Sequence, residues 1–401
     1  MEQTPPREPR IMSVTTDHRA RQRRRVLPNL LSSLDSPGQA VGFIGPNWYA
    51  SVMGTGIVAT AAASVPLVDT ALHPFALAVW VLAAGLLLLI TVAFAFHWIR
   101  EPSTARAHAR DPMMAQFYGA PPMALMTVGG GAILVGKSLI GMRAAVDLDW
   151  VLWSIGTATG LATAVAIPFL LFTQHDVRPD AAFGGWLMPI VPPMVSAANG
   201  ALLVAHVSSA SGRATLLYGC YAMFGLSLIA ALIVITLIWS RLAHYGSSGT
   251  ARVPTLWIVL GPLGQSVTAA GLLGAHAHLA VSPQIASALD TMAVLFGVPV
   301  FGFIILWASL ATSLTVRASR RGMTFALTWW SFTFPVGTCV TGTAQLAKHT
   351  GLPAFHWAAV IGYGCLLTAW LIVAFRTALG SYSGRLLTRP VATGPVIAYK
   401  G

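Results

Sequence analysis

The chain has 401 residues, of which 9% are charged and 55% hydrophobic, and its mean hydropathy is +0.70. Soluble globular domains carry about 25% charge, so a soluble fold is excluded and an all-α integral membrane protein is expected. A net charge of +12 does not make it a nucleic-acid binder, because the basic residues lie in a terminal tail and in short connectors rather than on one face interleaved with aromatics.

In chain order, residues 1–40 are polar and Arg-rich. They lack the charged, apolar, then small-residue order of a cleaved signal peptide and are expected to form a disordered cytoplasmic tail. Apolar stretches of about 20 residues, the length of a membrane crossing, follow at 46–65, 74–98, 117–136, 150–174, 183–205, 215–240, 253–275, 286–312, 323–347 and 354–375. Together they predict a transmembrane domain of ten crossings over 41–380, with 381–401 as a short cytoplasmic C-terminal tail. Sorting the 24 Lys and Arg residues with the N-terminus inside leaves only Lys137, Arg143, Arg213 and Lys348 on the outer side and none within a span. That bias predicts a multi-pass protein of the plasma (inner) membrane with both termini cytoplasmic. Cys220, Cys339 and Cys365 all fall in apolar stretches, which suggests neither disulfides nor a zinc site; no metal or cofactor is expected.

The odd-numbered spans are interrupted by Gly or Pro at Gly54/Gly56, Pro122, Pro193, Pro262 and Pro335, at intervals of 68, 71, 69 and 73 residues counted from Gly54. A period near seventy holds two crossings and their loops, so one broken helix and one plainer helix repeat five times. The even spans are more uniformly apolar, with Pro168 and Pro299 as exceptions. An interior proline removes a donor and kinks its helix. The freed carbonyl must then face protein or water rather than lipid. The odd spans are therefore expected to form an inner ring with pore-lining kinks around a central pore, and the even spans an outer ring against the lipid bilayer.

Phe334 lies near the centre of the ninth span beside the break at Pro335. A bulky apolar ring at a narrow point gates by dewetting, although ordinary packing is the alternative for any membrane Phe. No Lys or Arg is expected in the pathway, which suits conduction through weak repeated sites. Hydroxyls and amides such as Ser51, Thr55, Thr127, Ser196, Asn199, Gln265, Ser266, Thr338 and Thr341 would supply those sites. Asp290 is the one acid placed inside a span; with His276 and His278 it is a candidate for proton coupling or pH sensing, the alternative for all three being interfacial contacts.

Several strings are specific. The first span reads Gly45-Pro46-Asn47-Trp48-Tyr49-Ala50-Ser51-Val52-Met53-Gly54-Thr55-Gly56, the third is entered through Phe117-Tyr118-Gly119-Ala120-Pro121-Pro122, and the ninth contains Trp329-Trp330-Ser331-Phe332-Thr333-Phe334-Pro335. With Pro189 to Pro193 and Leu256 to Pro262, these strings resemble the tellurite-resistance/dicarboxylate transporter family, which includes malate permeases, sulfite pumps and plant slow-type anion channels. The resemblance covers residues 40 to 380 and looks closest to the malate and sulfite branch. It implies transport of small anions (C4-dicarboxylate, sulfite or tellurite) through five helical hairpins in quasi-fivefold arrangement, in a protomer that forms a homotrimer. It also implies a pore occluded by an inward-pointing Phe, matched here by Phe334. A second reading is a proton-coupled C4-dicarboxylate or sulfite transporter. A membrane-embedded transferase would gather His and acids at one membrane face; its nearest string, His108-Ala109-Arg110-Asp111, lies in a short connector.

Overall fold

The computed structural model describes residues 44–65, 69–247 and 249–387. The tail expected over 1–40 and residues 388–401 lie outside them. The described residues form helices and no strand. Ten helices dominate: α1 (Tyr49–Ala62), α2 (Asp69–Arg100), α3 (Ala120–Gly131), α4 (Met142–Gln174), α5 (Pro192–Leu203), α6 (Ala210–Tyr245), α7 (Leu260–His276), α8 (Pro283–Arg320), α9 (Phe334–Thr350) and α10 (Pro353–Tyr382). Local chemistry sets several of their ends. The Ser209 hydroxyl accepts from Gly212 N at 3.1 Å to cap α6, and Gly351, with φ of 67°, closes α9 in the left-handed conformation that glycine adopts without penalty.

The odd helices touch in cyclic order, α1 to α3 to α5 to α7 to α9 and back to α1. Each even helix packs chiefly on the odd helix before it. Of the most apolar stretches of α2, α4, α6, α8 and α10, only 22–33% of residues are buried, against 67% and 89% for the segments holding α3 and α7. Among the described residues, seven helical segments, those of α3 and α7 taken with their flanking turns, are long and apolar enough to cross a membrane, and this is a membrane protein. The other three, α1, α5 and α9, have 14, 12 and 17 residues of α-helix, shorter than the crossings expected from hydropathy.

The expected kinks take a different form. Each odd helix is preceded by a 3-10 segment: Pro46–Trp48, Ala115–Gly119, Gly184–Leu187, Val253–Val259 and Leu327–Phe332. Pro122, Pro193, Pro262 and Pro335 stand in the first turn of the α-helix that follows. There the missing N–H has no intrahelical partner to lose and the fixed φ is already helical. The prolines therefore start helices rather than bend them. Interior prolines occur instead in the outer helices, at Pro74, Pro168 and Pro299. A π-turn over Ala132–Gly136 extends α3 beyond its three glycines, and the Trp80 ring fills the groove that Gly131 and Gly136 leave open.

The closest approach in the ring is between α7 and α9. A methyl group on Gly264 would stand 2.4 Å from Cys339 N and 2.5 Å from Thr338 C, both backbone atoms. One turn earlier, a methyl on Gly261 would meet nothing nearer than Pro335 at 3.9 Å. Gly264→Ala is therefore expected to destabilise the protein by about 1–3 kcal/mol or more through overpacking. Gly261→Ala should leave stability unchanged or raise it by up to about 1 kcal/mol through helix propensity. Thermal unfolding of the two purified variants in detergent checks the contrast.

Candidate functional site

The ring encloses a cavity of about 100 Å³ to which all five odd helices contribute and no even helix does. The contributions fall at helical spacing on one face of each helix. From α1 and the turn that ends it come Ile57, Thr60 and Ser64; from α3 and its extension, Thr127, Gly130, Gly131 and Leu134; from α5, Val195, Ala198, Asn199 and Leu202. Gln265, Thr268 and Leu272 of α7 and Thr341, Gln345 and Lys348 of α9 complete the wall, together with Phe334, the first residue of α9. Apart from Phe334, Val195 and Gln265, the lining residues lie in the middle or the C-terminal half of their helices or just beyond.

The lining is largely apolar, with hydroxyls and amides set into it and a single charged side chain, Lys348. Thr60, Ser64 and Thr127 donate to carbonyls one turn back on their own helices, at 3.3, 2.7 and 2.7 Å. Thr268 and Thr341 share a hydrogen bond of 2.7 Å between α7 and α9. Hydroxyls occupied in this way offer little to an anion, so the donors for one are the amides of Asn199, Gln265 and Gln345 and the ammonium of Lys348. Asn199 spends one N–H on Met126 O of α3 and has a second. None of the lining residues is acidic. A site of neutral amides with one cation at the rim suits an anion held weakly enough to leave.

Phe334 is 3% exposed and lines the cavity. The expectation of a pathway free of basic residues is corrected by Lys348, which reaches the rim because α9 continues to Thr350. Gly54, Gly56, Pro122, Pro193, Pro262 and Pro335 are not among the lining residues. They serve helix contacts instead. A methyl on Gly54 would meet Thr333 Oγ1 at 2.3 Å and the Trp330 ring, and one on Gly56 would meet Thr127 Cγ2 at 2.6 Å; neither glycine makes room for Phe334. Pro122 and Pro192 pack against Gly160 of α4.

His276 and His278 each turn Nδ1 to a carbonyl of their own segment, Leu272 O and Ala275 O, both at 2.8 Å. Asp290 of α8 pairs with His349 of α9 at 3.0 Å. Sequence reading also passed over Asp149, placed one residue before the expected fourth span. It lies in α4, is wholly buried against Gly129 of α3, and neither of its oxygens has a hydrogen-bond partner. The signal for Lys348 was its spacing of seven from Thr341, two helical turns along the same face.

A model of the voltage-dependent anion channel family, SLAC1, matches residues 44–378. The chain belongs to this family. A sulfite efflux pump of Trichophyton rubrum is 27% identical to it, over 79% of this chain and 85% of the pump. An uncharacterized transporter of Methanocaldococcus jannaschii is 23% identical over 85% of this chain and 95% of its own length. A malic acid transport protein of Schizosaccharomyces pombe is 20% identical over 82% of this chain and 76% of its own. The family is one of channels and transporters, not enzymes, and it is the family that the sequence strings resemble.

If Lys348 helps to draw anions into the cavity, its loss should be felt as weaker half-saturation. An exposed charge contributes up to about 1 kcal/mol, so Lys348→Gln is expected to weaken apparent anion affinity about two- to fivefold in proteoliposome flux. The difference should shrink as inert salt is added.

Proposed function

We propose that this protein carries small inorganic oxyanions, sulfite first among them, across the plasma (inner) membrane through a central pore closed by Phe334. The cavity enclosed by the five odd helices is the observation that carries this reading. Its donors are neutral amides and one ammonium, with no carboxylate among the lining residues, which suits a small anion. The sulfite pumps among the relatives support the same substrate class. A dicarboxylate is the second reading, supported by the malic acid transport protein.

In this reading all ten helices cross the membrane, as five hairpins in quasi-fivefold arrangement. The cyclic contacts of the odd helices support it, and so do their 3-10 leads. The 17 residues of α9 rise about 25 Å, and the six of its lead add about 12 Å, enough for a hydrocarbon core of about 30 Å. The distribution of Lys and Arg supports cytoplasmic termini, which puts Lys348 at the outer mouth. The exposed apolar faces of the outer helices meet lipid, and the family resemblance supports a homotrimer.

The Phe334 ring in the cavity wall acts as a dewetting gate in this scheme. Phe334→Ala is expected to raise sulfite flux in proteoliposomes by about tenfold or more, the equivalent of ~1.4 kcal/mol off the barrier. Unchanged flux from a variant that keeps the wild-type unfolding midpoint would remove Phe334 from the role.

A further inference from the structure

We propose that Asp290 and His349 together form a proton-binding site whose occupancy is linked to that of the anion cavity. The site presupposes the anion-transport reading above and names the group through which pH acts on it. His349 stands in the last turn of α9, its side chain 8% exposed, between two oxygen atoms on different helices. Its Nε2 is 3.0 Å from Gly271 O of α7, and its Nδ1 is 3.0 Å from Asp290 Oδ1 of α8.

A carbonyl oxygen only accepts, an ionised carboxylate only accepts, and a neutral imidazole has a single N–H. The Nε2 contact has hydrogen-bond geometry and the Nδ1 contact is an ion-pair distance; both are attractive only if the trio holds one proton more than a neutral His beside a carboxylate would supply. Either the ring is an imidazolium facing a carboxylate, or a neutral ring donates to Gly271 O and accepts from protonated Asp290. The two descriptions differ only in where the extra proton sits. Without it, one of the contacts sets a nitrogen lone pair against an oxygen.

Other groups in the neighbourhood lack this feature. His276 and His278 each have one contact to a carbonyl, and so does His356, whose Nε2 is 3.4 Å from Ala347 O. One tautomer of a neutral ring satisfies each of them. Arg213 of α6 donates to Leu279 O at 2.7 Å, beyond the end of α7. Tyr221, also of α6, stands within the electrostatic reach of Asp290. Lys348, the residue before His349, lines the cavity. Asp290 is 53% exposed and gives the shared proton a way to water, whereas His349 has little of its own.

Linkage to the anion follows from charge. With its proton the pair is neutral overall, and the Lys348 ammonium acts on the cavity unopposed. Without the proton the pair carries a net negative charge at the residue next to Lys348 and opposes it, and one of the two contacts of His349 turns repulsive. Proton and anion each raise the affinity for the other by the same factor.

Nitrate is the probe of choice, since it remains a monoanion across the range in which sulfite itself takes up a proton. In proteoliposomes of the full-length protein, wild-type nitrate flux is expected to fall about threefold to tenfold as the pH outside rises from about 5.5 to about 8.5, the effect of one partly screened charge. Asp290→Asn supplies an amide N–H to Nδ1 of a neutral His349 and needs no extra proton. Its flux should be independent of pH and match the acid level of the wild type. His349→Gln leaves the carboxylate charged, so its flux should be flat at the alkaline level.

These opposite plateaus separate a proton site from a merely structural pair. Equal losses in both variants with the wild-type pH slope retained would overturn the proposal, as would wild-type nitrate flux that does not change with pH. Thermal unfolding in detergent gives a readout independent of transport. A wild-type unfolding midpoint that varies with pH, with the variation flattened in both variants, is the expected result. Flux of neither nitrate nor sulfite at any pH would overturn the transport reading, and the stability profile would then decide the proton site alone.

Discussion

Backbone carbonyls of the inner helices must find donors where there is no water to supply them, and the arrangement of the outer helices depends on that requirement. Trp80 of α2 donates to Val128 O of α3 at 3.0 Å, Trp153 of α4 to Ser196 O of α5 at 2.9 Å, and Trp307 of α8 to Leu256 O in the lead of α7 at 2.9 Å. Pro193 has no N–H to offer Ile190 three residues back, and the Ser227 hydroxyl of α6 meets Ile190 O at 2.7 Å. An unpaired carbonyl in hydrocarbon costs several kcal/mol. Each of these donors thus fixes the rotation of an outer helix against an inner one.

With the carbonyls met from outside the ring, the inward faces of the odd helices are free to be small and sparsely polar. The outer helices bring no side chain to the cavity. Gly130 and Gly131 keep the wall of α3 thin, and the amides that remain as donors come from α5, α7 and α9. The donor set is therefore asymmetric although the helices repeat. Architecture and chemistry separate: five similar helices make the enclosure, and three of them give it preference for an anion.

Much of this was legible in the sequence, because the alternation of broken and plain apolar segments follows from physical demands that the structure also meets. Phe334 was legible from the string around it. The geometry of the breaks was not: a 3-10 lead as apolar as the α-helix after it gives the same hydropathy as one continuous helix, so a proline in a first turn reads as a proline in the middle. Asp149 and Lys348 were misplaced by the same blurring of helix ends. The span start was set at 150 while α4 begins at Met142, and the span end at 347 while α9 runs to Thr350. The contact of His349 with Asp290 and Gly271 joins three helices, and no local pattern encodes it.

α9 gathers more of the chemistry than any other helix. Phe334 is its first residue, Thr341 and Gln345 line the cavity in its middle, and Lys348 and His349 stand in its last turn. At one end it is pressed against the backbone of α7, where Gly264 admits no side chain. At the other His349 meets Gly271 O of α7 and Asp290 of α8. The close contact cannot slide without separating the two backbones. A change at the His349 end is therefore more easily taken up as a tilt or rotation of α9 about the Gly264 contact than as a displacement along its axis. Phe334 lies more than a turn below that contact, between Thr333, which fills the space beside Gly54, and Pro335, which faces Gly261. A small rotation about the contact turns the ring relative to the cavity while leaving the five-helix enclosure intact.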